Sequence, residues 1–225
     1  MYNAVKRQAA RLLLGDRTHH VTRLALAARS ADIFNRQKRR VPDRFALYAL
    51  VSEELIAGRP FDYLEFGVFQ GESIRKVAEL NPNPQCRLYG FDSFEGLPQD
   101  WNEEKKKGTF DVGGRMPQID DPRVTFVKGW FDLTLPAFLQ DYRPLDQVWI
   151  HIDADLYGST MCALTYLNRH IRPGTIVVFD EVEDLMHEFK ALCDFQDMSG
   201  KRLALYAASQ DCRHAAFVCQ PEASA

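Results

Sequence analysis

Short, nearly continuous apolar runs alternate with amphipathic stretches of helical period along most of this chain. DYLEFGVF (62–69), RLYGFD (87–92), RVTFVKG (123–129), QVWIHID (147–153) and TIVVFD (175–180) read as strands. GESIRKVAEL, LPAFLQDY, STMCALTYLNRHI and EDLMHEFKALCDF read as helices between and after them. A strand that is apolar on both faces must be covered on both faces, and strands joined through helices run parallel. RLALYAA (202–208) and HAAFVC (214–219), separated by a short polar turn, read as a hairpin. The pattern predicts a doubly wound, mostly parallel seven-stranded α/β sheet, a three-layer sandwich ending in an antiparallel hairpin.

A chain of 225 residues carries one such domain with a full core and does not need two. No stretch reaches the ~18 consecutive apolar residues of a membrane span. The first residues hold too many arginines around too short an apolar core for a signal peptide. Five cysteines without a C-x-x-C pair argue against a zinc site and for reduced packing residues in a cytoplasmic protein. Charge is uneven: the first 44 residues carry +8 and the remainder −11, within a total of −3. We therefore divide the chain into a basic helical arm, residues 1–42, and an α/β domain, residues 43–225. Only Tyr2 and Phe34 are available in the arm to stack bases, which disfavours nucleic acid. The arm is expected to pack on its own acidic domain or on a second subunit, making a homodimer.

In open α/β sheets the ligand lies at the carboxyl ends of the strands. EFGVFQGES places Gly67 and Gly71 after the first long strand, ahead of a helix N-terminus, where backbone can approach a ligand. Asp92 follows the second, 21 residues past Gly71, a position suited to a ribose diol. Asp153 and Asp155 follow the fourth, on one side if the strand continues that far, and Asp180 and Glu181 follow the fifth. Such a set offers hard oxygen ligands to magnesium, calcium or manganese; a shared proton or a buried arginine would also relieve it. His151 reads as a core histidine or one supporting the site from behind, His187 as a helix-surface residue with an alternative role as the base, and Ser159 as a helix N-cap. The long charged stretch 95–122 reads as a functional loop that closes over the site.

LEFGVFQGESI, YGFDSFEGLP, VKGWFDLTLP, HIDADLYGST and PGTIVVFDE, in this order over about residues 60–185, resemble the macrocin O-methyltransferase family. The resemblance implies a Rossmann-like enzyme that uses S-adenosylmethionine and a divalent metal, Mg2+ or another hard cation, to methylate a hydroxyl of a sugar or other small natural product. It implies metal binding by Asp153, Asp180 and Glu181 and proton removal by Asp155, with Asp153 and Asp155 as the catalytic pair. Glu65 and Gly67 would meet the methionine part of the cofactor, Asp92 the ribose, and Gly129 and Trp130 the adenine. Gly71, Ser73, Ser93 and Asp153 complete that set. The chain departs from the family in having Asp180-Glu181 in place of two aspartates, and in lacking a Gly-Ala-Arg-Lys pattern after them. Two other readings compete: a scaffold protein that works through its basic arm, and an NAD-dependent oxidoreductase, which the absence of G-x-G-x-x-G disfavours. Deleting residues 1–40 is expected to lower the mass measured in solution from dimer to monomer; an unchanged mass counts against the arm as the dimer contact.

Overall fold

The computed structural model describes residues 18–36 and 39–221. Helix α1, Thr18–Arg36, belongs to the basic arm. It buries Leu26 and Phe34 in the core, and Arg29 donates to both carboxylate oxygens of Asp197 at 2.8 and 3.1 Å. Residues 1–17 of the arm lie outside the described residues. Strand β1 is only Arg40–Val41. Asp43 then caps α2, Arg44–Leu50, by accepting from the Ala46 N–H at 2.9 Å. The helix widens into a π-helical segment, Val51–Ile56, and stops at Ala57 in the left-handed conformation, one residue before the glycine that the sequence suggests.

The remaining strands and helices alternate: β2 (Phe61–Phe66), α3 (Glu72–Leu80), β3 (Arg87–Asp92), β4 (Val124–Lys128), α4 (Phe131–Asp141), β5 (Gln147–Ile152), α5 (Tyr157–Leu167), β6 (Ile176–Phe179) and α6 (Glu188–Ser199). Strands β7 (Leu203–Ser209) and β8 (Ala215–Cys219) close the chain as the expected antiparallel hairpin. The sheet order is β1-β7-β8-β6-β5-β2-β3-β4, and β8 alone runs against its neighbours. Among the described residues the sheet thus has eight strands where the sequence reading counts seven. The extra strand, β1, pairs in parallel with β7 at Ala208 and Ser209 and is too short to carry any period.

Alternation along the strands sorts the core into two layers. Tyr63, Trp149 and Val178 pack on one face, and Leu64, Ile150 and Val177 on the other. Both faces are covered, as the unbroken apolar runs require. Chain order reverses between β2 and β5, which lie side by side although two strands separate them in sequence. That crevice is where such a sheet holds its ligand.

At the opposite end of β2, fully buried Asp62 accepts four hydrogen bonds from three residues. Arg87 donates to both its oxygens at 2.7 and 2.8 Å, the Tyr142 hydroxyl donates at 2.9 Å, and the Leu145 N–H donates at 2.9 Å. This network ties β2 to β3 and to the segment entering β5. Replacing Asp62 by Ala leaves several donors unpaired, so we expect Asp62→Ala to lose about 3 kcal/mol in urea unfolding. A loss below about 0.5 kcal/mol would mean that the network contributes nothing net.

Candidate active site

The carboxyl ends of β2, β3, β5 and β6 border a cavity of about 560 Å³. Gly67 shapes its floor. It sits at φ 95°, and a Cβ there would come 1.7 Å from the backbone oxygen of Asp153. The ends of β2 and β5 press together here, with the Asp153 N–H donating to Phe66 at 2.9 Å, so only glycine fits. Asp92 braces the turn that follows. One of its oxygens accepts from the N–H groups of Val68 and Phe69 at 2.7 and 2.8 Å, and the other from Phe94 at 2.7 Å. The second oxygen keeps one lone-pair direction for a ligand hydroxyl.

Of the residues assigned to a cofactor, Gly67, Asp92, Ser93, Trp130 and Asp153 line the cavity. Gly71, Ser73, Glu65 and Gly129 lie outside its lining. Gly71 starts α3 in the left-handed conformation, and Ser73 is buried within that helix. Gly129 adopts φ 138°, and a Cβ on it would strike the Thr134 methyl at 2.8 Å. Glu65 is 1% exposed, and its Oε2 has no hydrogen-bond partner. Burial first, and then the charge of Asp180, push its carboxyl well above the ordinary range.

The acidic side is assembled differently from the expectation. Strand β5 ends at Ile152, so alternation does not bring Asp153 and Asp155 together. Instead the chain turns, with Asp155 in the left-handed conformation at φ 57°, which aspartate tolerates better than most residues. Among the described residues, ligand oxygens of Asp153, Asp155 and Glu181 lie within 4.8 Å of one another. Asp180 is outside this group: His214 Nδ1 lies 3.0 Å from its Oδ1, and His151 Nε2 lies 3.8 Å from the same oxygen. Burial opposes charge on Asp180, but the two imidazoles outweigh it and hold the carboxyl below its ordinary range. The group is therefore Asp153, Asp155 and Glu181, with Asp180 facing the histidines.

Crowding shows in the protonation of the three. Burial, then Asp180 and Glu181, push Asp153 well up. Burial and Glu181 push Asp155 up to about 7, against the opposing charge of Lys105. Glu181 is raised by burial and by Asp180, although Arg213 pulls the other way. Arg213, on the β7–β8 turn, donates to Glu181 Oε1, while Glu181 Oε2 is buried without a partner. Three hard oxygen donors and an orphaned buried oxygen fit a divalent cation such as magnesium or manganese.

His151 is fully buried behind the site, 2.7 Å from the Tyr63 hydroxyl and 3.2 Å from that of Tyr48, as a satisfied core histidine should be. His187 is not a bare surface residue. It precedes α6, and its Nδ1 accepts from the Tyr157 N–H at 3.2 Å. It thereby caps α5, whose N-cap is Leu156; Ser159 lies within the helix and faces the cavity. The 95–122 segment supplies Leu97, Pro98, Lys105 and Phe110 to the cavity wall. It is fastened by the Trp101 indole N–H, which donates to Asp184 at 3.1 Å, and the Lys105 ammonium lies 4.0 Å from the Trp101 ring centre. Sequence reasoning missed Lys105, Arg213, His214 and Glu188, because each meets the site through a contact distant in the chain.

A profile of the macrocin-O-methyltransferase (TylF) family matches residues 38–212. The Streptomyces olivaceus 8-demethyl-8-(2,3-dimethoxy-alpha-L-rhamnosyl)-tetracenomycin-C 4'-O-methyltransferase is 28% identical over 177 residues, 65% of this chain and 64% of that protein. The mycinamicin III 3''-O-methyltransferase of Micromonospora griseorubida is 24% identical over 168 residues, 62% of this chain and 64% of that one. The chain thus spans less than two thirds of the length of the curated relatives it matches. The solved O-methyltransferase NovP shares the fold, with a TM-score of 0.62 and 19% identity over 79% of this chain and 80% of its own. Taken with the glycine turn, the strand order and the acidic residues after β5 and β6, the match over most of its length makes this chain a member of the macrocin O-methyltransferase family.

Proposed function

We propose that this protein transfers a methyl group from S-adenosylmethionine to a hydroxyl of a sugar carried on, or destined for, a small natural product. The observation that carries the reading is one cavity bounded at once by the Gly67 turn with Asp92 and by the Asp153, Asp155 and Glu181 carboxylates. The rhamnosyl group in the name of the similar tetracenomycin 4'-O-methyltransferase supports the acceptor class.

The cofactor supplies an activated methyl group, so the protein has to position an oxygen and remove its proton. Asp153, Asp155 and Glu181 would hold a divalent cation, which lowers the pKa of a coordinated hydroxyl. Asp155 lines the cavity beside Asp153 and is the carboxylate that takes the hydroxyl proton. Phe110 and Leu97 of the 95–122 segment cover the cavity and exclude water from the transfer. Asp92 and the Gly67 turn fix the cofactor on the opposite wall.

Calorimetric titration tests the reading in two independent parts. S-adenosylmethionine and S-adenosylhomocysteine should bind with or without magnesium, and NAD should not. Magnesium binding should be lost in Asp153→Ala. Absence of cofactor binding removes the methyltransferase reading, whereas cofactor binding without a metal site removes only the cation. With labelled cofactor and a panel of deoxysugar glycosides, Asp155→Asn should lower turnover about 10²- to 10⁴-fold.

The carboxylates also predict a pH dependence of stability. A carboxyl raised from 3.8 to about 7 on folding contributes stability that is full below about pH 3.8, falls as pH rises from there and is gone above about 7. A cation that binds the ionised form restores it. Magnesium should therefore raise Tm more at about pH 8 than at about pH 6. Equal shifts at both values would place the bound ion away from Asp155.

A further inference from the structure

Glu188 is fully buried at the first position of α6, in the segment that lacks the Gly-Ala-Arg-Lys pattern. Its two oxygens accept from different loops. Oε1 takes the Ala154 N–H at 3.2 Å, and Oε2 takes the Glu181 N–H at 3.0 Å. Ala154 stands between the two aspartates of the β5 loop, and Glu181 is the member of the carboxylate group that follows β6. A single side chain thus fastens both halves of the group from behind. It does not line the cavity.

A buried carboxyl beside other carboxyls is unfavourable unless specific groups compensate it. Here the compensation is the two backbone N–H groups together with the N-terminal end of α6, whose dipole favours negative charge. The same two N–H groups would be orphaned in a dry interior without this carboxylate. We propose that Glu188 is a positioning residue that sets the spacing of Asp153 and Asp155 against Glu181, and with it the affinity of that group for a divalent cation. Only the second half rests on the metal-assisted reading above.

The test uses the full chain with Glu188→Ala and Glu188→Gln. The alanine variant removes both bonds, whereas the glutamine carbonyl oxygen keeps one. Amide hydrogen exchange at Ala154 and Glu181 should accelerate together, by about tenfold or more in the alanine variant and less in the glutamine variant. Manganese affinity, read by electron paramagnetic resonance, should fall about 10- to 100-fold, with partial rescue by glutamine. S-adenosylhomocysteine affinity, set on the Gly67 and Asp92 wall, should not change. Unchanged exchange at the two amides overturns the proposal. So does faster exchange with wild-type manganese affinity, because Glu188 then only supports the fold. If neither variant folds, Glu188 is a core requirement and the positioning role is rejected. An unaltered protein that binds no manganese removes the metal reading separately, and the amide pair still tests the fastening.

Discussion

Negative charge gathered at one edge of a buried sheet is the constraint around which this molecule is organised. Asp153, Asp155, Asp180, Glu181 and Glu188 all sit at the carboxyl ends of β5 and β6 or directly behind them, and burial disfavours ionisation of each. The compensating groups come from elements other than β5 and β6. His214 and Arg213 arrive on the β7–β8 turn, the Glu188 carboxylate is answered by backbone N–H groups, and Lys105 reaches in from the long loop. The antiparallel hairpin is therefore more than an extension of the sheet: it delivers two of the cationic or hydrogen-donating groups that make the acidic edge tolerable. What stays unanswered is concentrated in Asp153, Asp155 and the free oxygen of Glu181.

The opposite wall obeys a steric rule. Gly67 has no side chain because the Asp153 carbonyl already occupies that space, and Asp92 uses three hydrogen bonds to hold the turn in place. The same contact joins the two walls. The β2 end and the loop that carries the aspartates are thus in direct backbone contact, and the two walls of the cavity share a common frame.

The sheet, its crossovers and the strand ends that bear the site were legible because parallel strands leave unbroken apolar runs and functional residues follow them. Gly67, Asp92, Asp153, Asp155 and Glu181 could be found by that rule alone. What escaped depends on partners far along the chain. Asp180 looks like its neighbour Glu181 until His214, 34 residues later, is seen against it. Strand alternation would aim Asp155 alongside Asp153, yet a left-handed turn aims it. Glu188 and His187 sit in what looks like an ordinary amphipathic helix, and nothing local says that they bond to loops about 30 residues earlier. β1 has two residues and no pattern at all.

That smallest strand has an effect out of proportion to its length. An open sheet ends in unpaired backbone groups that can recruit a strand from another molecule. β7 would be such an end, but Arg40 and Val41 lie along it, and the Ala208 and Gln210 N–H groups donate to Arg39 and Val41. Arg40 and Val41 thus occupy the end of β7 where another strand would pair. A domain cut at the start of α2 keeps every site residue and loses that pairing.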